Sequence, residues 1–173
     1  VLVIGCAVGG TVAWLVSSTN AVVNTFTYGD INITLGETTG NDYKIIPGVN
    51  IDKNPKVTVK KDSEACWLFV EVKEEGTFVA NKVTYSIDDG WTQGDGTKIP
   101  ANVYYRSVDA VKADTDFAVL KDNKIYVSEE LSKSDIQSIT AQPKLTFTAY
   151  AVQKDGIVDA DTAWTKANPT TNP

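Results

Sequence analysis

The chain has 173 residues, 42% of them apolar, with 16 Lys+Arg against 22 Asp+Glu and a net charge of −6; that is about one domain, large enough to bury a core without disulfides or a structural metal. It contains no histidine, which excludes a Ser-His-Asp or Cys-His nucleophile, a HExxH zinc site and a histidine pH switch. Arg106 is the only arginine, and a nucleic-acid footprint built on clustered arginines is excluded with it.

Residues 1–16 are almost wholly apolar or small, and no fixed charge occurs before Asp30. The run is short for a membrane span of about 20 residues, but it suits the apolar region and cleavage zone of a secretory signal. Methionine is absent even from position 1, so the expectation is a signal whose basic start lies upstream. Cleavage is expected at Ala13, Trp14 and Leu15, which assigns 1–14 to the signal, 15–167 to a single domain and 168–173 to a loose tail. An uncleaved anchor and a buried core segment are the alternatives. Cys6, after Val3-Ile4-Gly5, has the form of a lipidation site, yet the apolar run continues past it where a polar tether should begin. The preferred reading is a small residue in an apolar segment, with membrane contact only during export. Cys66, followed by Trp67-Leu68-Phe69-Val70, reads as a buried and inert thiol.

Two alternating runs, Val22/Asn24/Phe26/Tyr28 and Ile31/Ile33/Leu35, flank the turn-type pair Gly29-Asp30, and both read as strands with one buried face. Short edge-compatible strands follow around 43–46, 49–51 and 56–60. Residues 65–73 begin as a continuous apolar run and then alternate, which marks the most deeply buried strand. Residues 83–87 alternate again. The acidic stretch 88–96 reads as a hairpin loop, because its spacing lacks the ligand series of a calcium loop ending in a bidentate glutamate. Further strands are expected near 101–107, 117–120, 124–127 and 145–153. A short helix is expected over 128–139, with Ser128 as N-cap and Leu131, Ile136 and Ile139 on one face. A last helical turn over 159–166 buries Trp164. The sum is an all-β fold, an antiparallel jelly-roll-like β-sandwich with one or two short helices.

The charge-free start Gly9-Gly10-Thr11-Val12-Ala13-Trp14-Leu15, then Asn24-Thr25-Phe26-Thr27 and Gly29-Asp30-Ile31-Asn32-Ile33-Thr34-Leu35, resembles the TasA/camelysin family, exported proteins of Gram-positive bacteria with SipW-dependent-type signals. Pro47-Gly48 through Val59, Ser63-Glu64-Ala65-Cys66-Trp67, Leu145 to Gln153 and Ala163-Trp164 are similar to secreted proteins of the same group. The resemblance implies a jelly-roll-like sandwich, export, and a biofilm-matrix fibre in which the N-terminal strand of one subunit completes the sheet of the next.

The residues agree with that implication at one point. The segment holding Asn24, Phe26, Tyr28, Ile31, Ile33 and Leu35 forms strands beside the cleavage region, and such a segment can pair with an exposed sheet edge of another copy. The expected partner is therefore a second copy, as an oligomer or filament, or another matrix or surface protein. The alternative function is a monomeric surface or adhesin module whose exposed aromatics Trp91, Tyr104 and Tyr105 bind a glycan or protein. The protease label carried by camelysin finds no support, since no histidine is present and adjacent acids such as Glu74/Glu75 and Asp88/Asp89 point to opposite faces of a strand. No catalytic residue, metal ligand or cofactor is assigned.

Overall fold

A computed structural model describes residues 31–39, 45–141 and 143–167 in full, and residues 13–16, 25–28 and 42–44 as backbone. In chain order the elements are β1 (Ala13–Val16), β2 (Thr25–Tyr28), β3 (Ile33–Gly36), β4 (Asp42–Ile45), β5 (Ile51–Asp52), β6 (Lys56–Val59), β7 (Cys66–Glu75), β8 (Val83–Ile87), β9 (Thr92–Gln93), β10 (Val103–Val108), β11 (Thr115–Ala118), β12 (Leu120–Val127), α1 (Lys133–Gln137), β13 (Lys144–Gln153) and α2 (Ala160–Ala167). The protein is mostly β, an antiparallel sandwich with two short helices.

The apolar run that opens β7 explains the first layer. Its strands lie in the order β2-β13-β7-β10-β9, and β7 pairs with β13 along its whole length, from Lys144↔Glu75 to Gln153↔Cys66. On one face Leu68, Val70 and Val72 stand opposite Ala151, Ala149 and Phe147, all buried. On the other face Phe69 packs beneath α2, its ring centroid 5.2 Å from that of Trp164. Both faces of β7 are thus covered, and a strand covered on both faces needs continuous rather than alternating apolar residues. Complete burial of Leu68, Phe69 and Val70 contributes about 1.5–3 kcal/mol for each side chain.

The second layer consists of the ladders β11-β6-β3 and β5-β12-β8. They run into one another, because β5 and β6 follow each other closely along the chain, as do β11 and β12. Val119 N–H donates to Pro55 O at 3.0 Å and Lys53 N–H to Asn123 O at 2.7 Å, which carries the pairing across the junction. Asp122 and Asn123 sit there with φ of 54°, the left-handed region that Asp and Asn tolerate best after glycine. Ile33 and Leu35 pair with Val59 and Val57 and fill the core with them.

Several local expectations change. β6 is not an edge strand: it lies between β11 and β3. The 88–96 stretch is not a hairpin loop, since it leads from β8 in the second layer to β9 in the first. The two N-terminal runs both hold strands but go to different layers, since β2 joins β13 and β3 joins β6; Gly29 and Asp30 lie outside the described residues. Finally, α1 begins at Ser132 rather than Ser128. Ser132 Oγ accepts from Asp135 N–H at 3.2 Å while Asp135 Oδ2 accepts from Ser132 N–H at 2.7 Å, a reciprocal capping box. The residue three places after Ser128 is Leu131, which offers no acceptor and is buried instead.

Candidate functional site

The expected assembly segment is divided between the two layers. β2 is the outermost strand of the first layer and runs parallel to β13, with Thr25, Phe26, Thr27 and Tyr28 opposite Ala149, Tyr150, Ala151 and Val152. Among the described residues Phe26 and Tyr28 therefore lie on a strand paired on one side; Asn24 falls outside them. Ile31, Ile33 and Leu35 belong to the chain's own core, with 3–6% exposure. Removing each from that core costs about 1.5–3 kcal/mol. The structure thus divides the segment read from the sequence, with β2 in the first layer and β3 in the second.

Ala13, Trp14 and Leu15, the expected cleavage region, lie on β1, whose backbone pairs with β4 in the register Ala13↔Ile45, Trp14↔Lys44 and Leu15↔Tyr43. Cys6 lies outside the described residues. Among the described residues no helix is long and apolar enough to cross a membrane. Cys66 is fully buried, and burial pushes its thiol up to about 11.

The three aromatics read as a possible binding surface do not share one. Trp91 is a correction: it is 8% exposed, its Nε1 donates to Ala118 O at 2.7 Å, and the Arg106 guanidinium covers its ring at 5.5 Å. Arg106 also lies 4.4 Å from the Phe117 ring centroid, so Trp91 belongs to an internal stack. Its position between turn-forming residues resembles that of an exposed side chain, and the long-range bond to Ala118 is invisible locally. Tyr105 faces the α2 side, 6.4 Å from Trp67 and 6.1 Å from Phe69 between ring centroids. Tyr104, its neighbour on β10, points the opposite way, as alternation requires.

Tyr104 lines a cleft of about 440 Å³ between the two layers, together with Glu74 and Lys73 from β7, Asn102 before β10, and Tyr85 from β8. Tyr85 donates its hydroxyl proton to Glu74 Oε1 at 2.7 Å, a bond that ties the layers together at the rim. Burial, then the Glu74 carboxylate, raises the Tyr85 hydroxyl well above its ordinary value, and Tyr104 moves the same way for the same causes. Both phenols stay protonated at neutral pH. Asn102 Nδ2 donates to Glu71 Oε1 at 3.3 Å and to Val72 O at 3.4 Å, which leaves its Oδ1 available. Tyr85 and Glu74 each sit in an ordinary alternating run, and only the stacking of the layers brings them together.

The acidic carboxylates of the 88–96 stretch have protein partners. Asp88 Oδ1 accepts from Gly90 N–H at 3.1 Å, and Asp89 pairs with Lys121 at 2.9 Å. Asp95 accepts from Thr97 N–H at 2.8 Å, Lys98 N–H at 3.0 Å and Ile99 N–H at 3.3 Å, and from the Thr97 hydroxyl at 2.5 Å. These bonds, those from Thr97 foremost, hold the Asp95 carboxyl down at about 2. Glu75 pairs with Lys73 at 2.9 Å and Lys144 at 3.3 Å while Glu74 turns to Tyr85. Among the described residues no three acids, cysteines or histidines gather as a metal site.

Comparison of the chain with protein-family models, with curated proteins and with solved structures finds no match.

Proposed function

We propose that the chain is an exported structural subunit of a TasA-like biofilm matrix or surface fibre, and that β2 is the strand it exchanges between copies. The observation that carries this reading is the position of β2: a four-residue strand at the outer edge of the first layer, parallel to β13, in the N-terminal part of the chain. The same stretch of β13 backbone can receive that strand from its own chain or from a neighbour, and the hydrogen bonds are equivalent in either case. A head-to-tail exchange builds a filament when the rotation between copies does not close a ring. β3, with Ile33 and Leu35 in the core, anchors the donor segment to its own domain.

The test is electron microscopy of a chain spanning 15–173 beside one spanning 31–173, incubated at rising concentration. Filaments from the longer chain alone are expected. Two folded monomers with no filaments at any concentration would overturn the reading.

A further inference from the structure

We propose that the cleft between Tyr104 and Tyr85 binds a pyranose ring of a glycan chain, with Glu74 accepting from the sugar hydroxyls. This goes beyond the assembly reading and does not depend on it, since none of the cleft residues lies on β2 or β13.

Three features favour a sugar. The cleft is lined by two tyrosine rings from opposite layers, and an aromatic ring offers its face to the C–H side of a pyranose at little entropic cost. Beside the rings stand fixed polar atoms. Glu74 spends Oε1 on the Tyr85 hydroxyl and keeps Oε2 for a hydroxyl donor, where an ionised acceptor makes the stronger bond. Asn102 has its amide nitrogen engaged toward Glu71 and Val72, so its Oδ1 is a second acceptor with a set direction. The third feature is size, since about 440 Å³ lies within the range of roughly 300–1,000 Å³ typical of small-ligand sites. An apolar ligand would find little, because among the described residues aliphatic lining comes only from Val72 and Ala101. The Tyr85–Glu74 bond sets the ring and carboxylate in place before any ligand arrives, and preorganisation of this kind lowers the cost of binding.

The test is an amide NMR titration of the full chain with cellotetraose, chitotetraose and maltotetraose, each to about 10 mM, where millimolar affinities are readable. At least one is expected to shift the amides of 72–74, 85 and 101–104. Tyr104→Ala is expected to weaken that binding about tenfold, as loss of an aromatic platform does, while Tyr104→Phe keeps it. Glu74→Gln, at an exposed rim position, weakens it several-fold and provides a reading should Tyr104→Ala unfold. No cleft shift with any of the three sugars overturns the proposal, as do shifts that both Tyr104→Ala and Glu74→Gln leave unchanged.

Discussion

Lys53 Nζ lies 3.0 Å from Glu37 Oε2, with the two side chains only 2% and 8% exposed, and 5.8 Å from the ring centroid of Phe147 on β13. A lysine is almost never buried to that degree without a partner. Here the junction between β5 and β6 turns the side chain inward, and Glu37, just past the end of β3, meets it. Thr39 donates its hydroxyl to Glu37 Oε1 at 2.8 Å, and Asn54 Oδ1 accepts from the backbone N–H of Thr38 and of Thr39 at 3.0 Å each. The pair therefore joins the loop after β3 to the middle of the second layer.

Breaking it from one side leaves a buried charge without its salt-bridge partner 3.0 Å away. Lys53→Met alone, or Glu37→Gln alone, is expected to destabilise the fold by about 3–5 kcal/mol. The double variant Lys53→Met/Glu37→Leu, which removes both charges and fills the space, is expected to lose less than the sum and recover part of the stability. Urea unfolding of the four proteins measures this. A purely additive double variant would show that the pair does not act as a unit.

The legibility of the sequence follows the range of the interaction. The continuous run 66–70 announces β7 because burial on both faces is written into adjacent residues, and the alternation of 145–153 announces β13 for the same local reason. Trp164 is equally legible as the buried side of a final helix, where Asp159 Oδ1 accepts from Thr162 N–H at 2.8 Å and caps the turn. What local pattern could not carry is which strand a segment joins. Phe26 and Ile33 sit in similar alternating runs, yet one lies on a strand parallel to β13 and the other is in the opposite layer. The same limit hides the cleft: Tyr104 stands out locally as an aromatic, but Tyr85 and Glu74 become its neighbours only when the layers stack. Lys53 is the clearest case, since by composition it belonged on the surface.

Asp95 gives the fold an acid dependence with a definite sign. Its carboxyl is held at about 2 against an ordinary 3.8, so the folded chain binds this proton less readily than the unfolded chain. The stabilisation is complete above the ordinary value and is lost as pH falls through the folded one. Melting temperature is expected to drop between about pH 4 and pH 2, and Asp95→Asn, which cannot titrate, is expected to flatten that part of the curve. Identical slopes for the two proteins would remove Asp95 as a source of the acid sensitivity.

The pairing of β2 with β13 allows a direct test of where the strand comes from. Thr27 stands opposite Ala151, so cysteines at the two positions are neighbours whether β2 belongs to the same chain or to another, within the usual reach of a disulfide. Thr27→Cys and Ala151→Cys are made separately in a chain spanning 15–173 that also carries Cys66→Ser, so that each single variant holds one thiol. Mixed under oxidising conditions that promote assembly, the two single variants are expected to give a disulfide-linked heterodimer, because each carries only half of the pair. The double variant is expected to give a ladder of linked chains at high concentration and closed monomers at low concentration, since exchange competes with internal pairing by mass action. A double variant that closes only on itself at every concentration, with single variants that never link, would confine β2 to its own domain and remove exchange as the route to assembly.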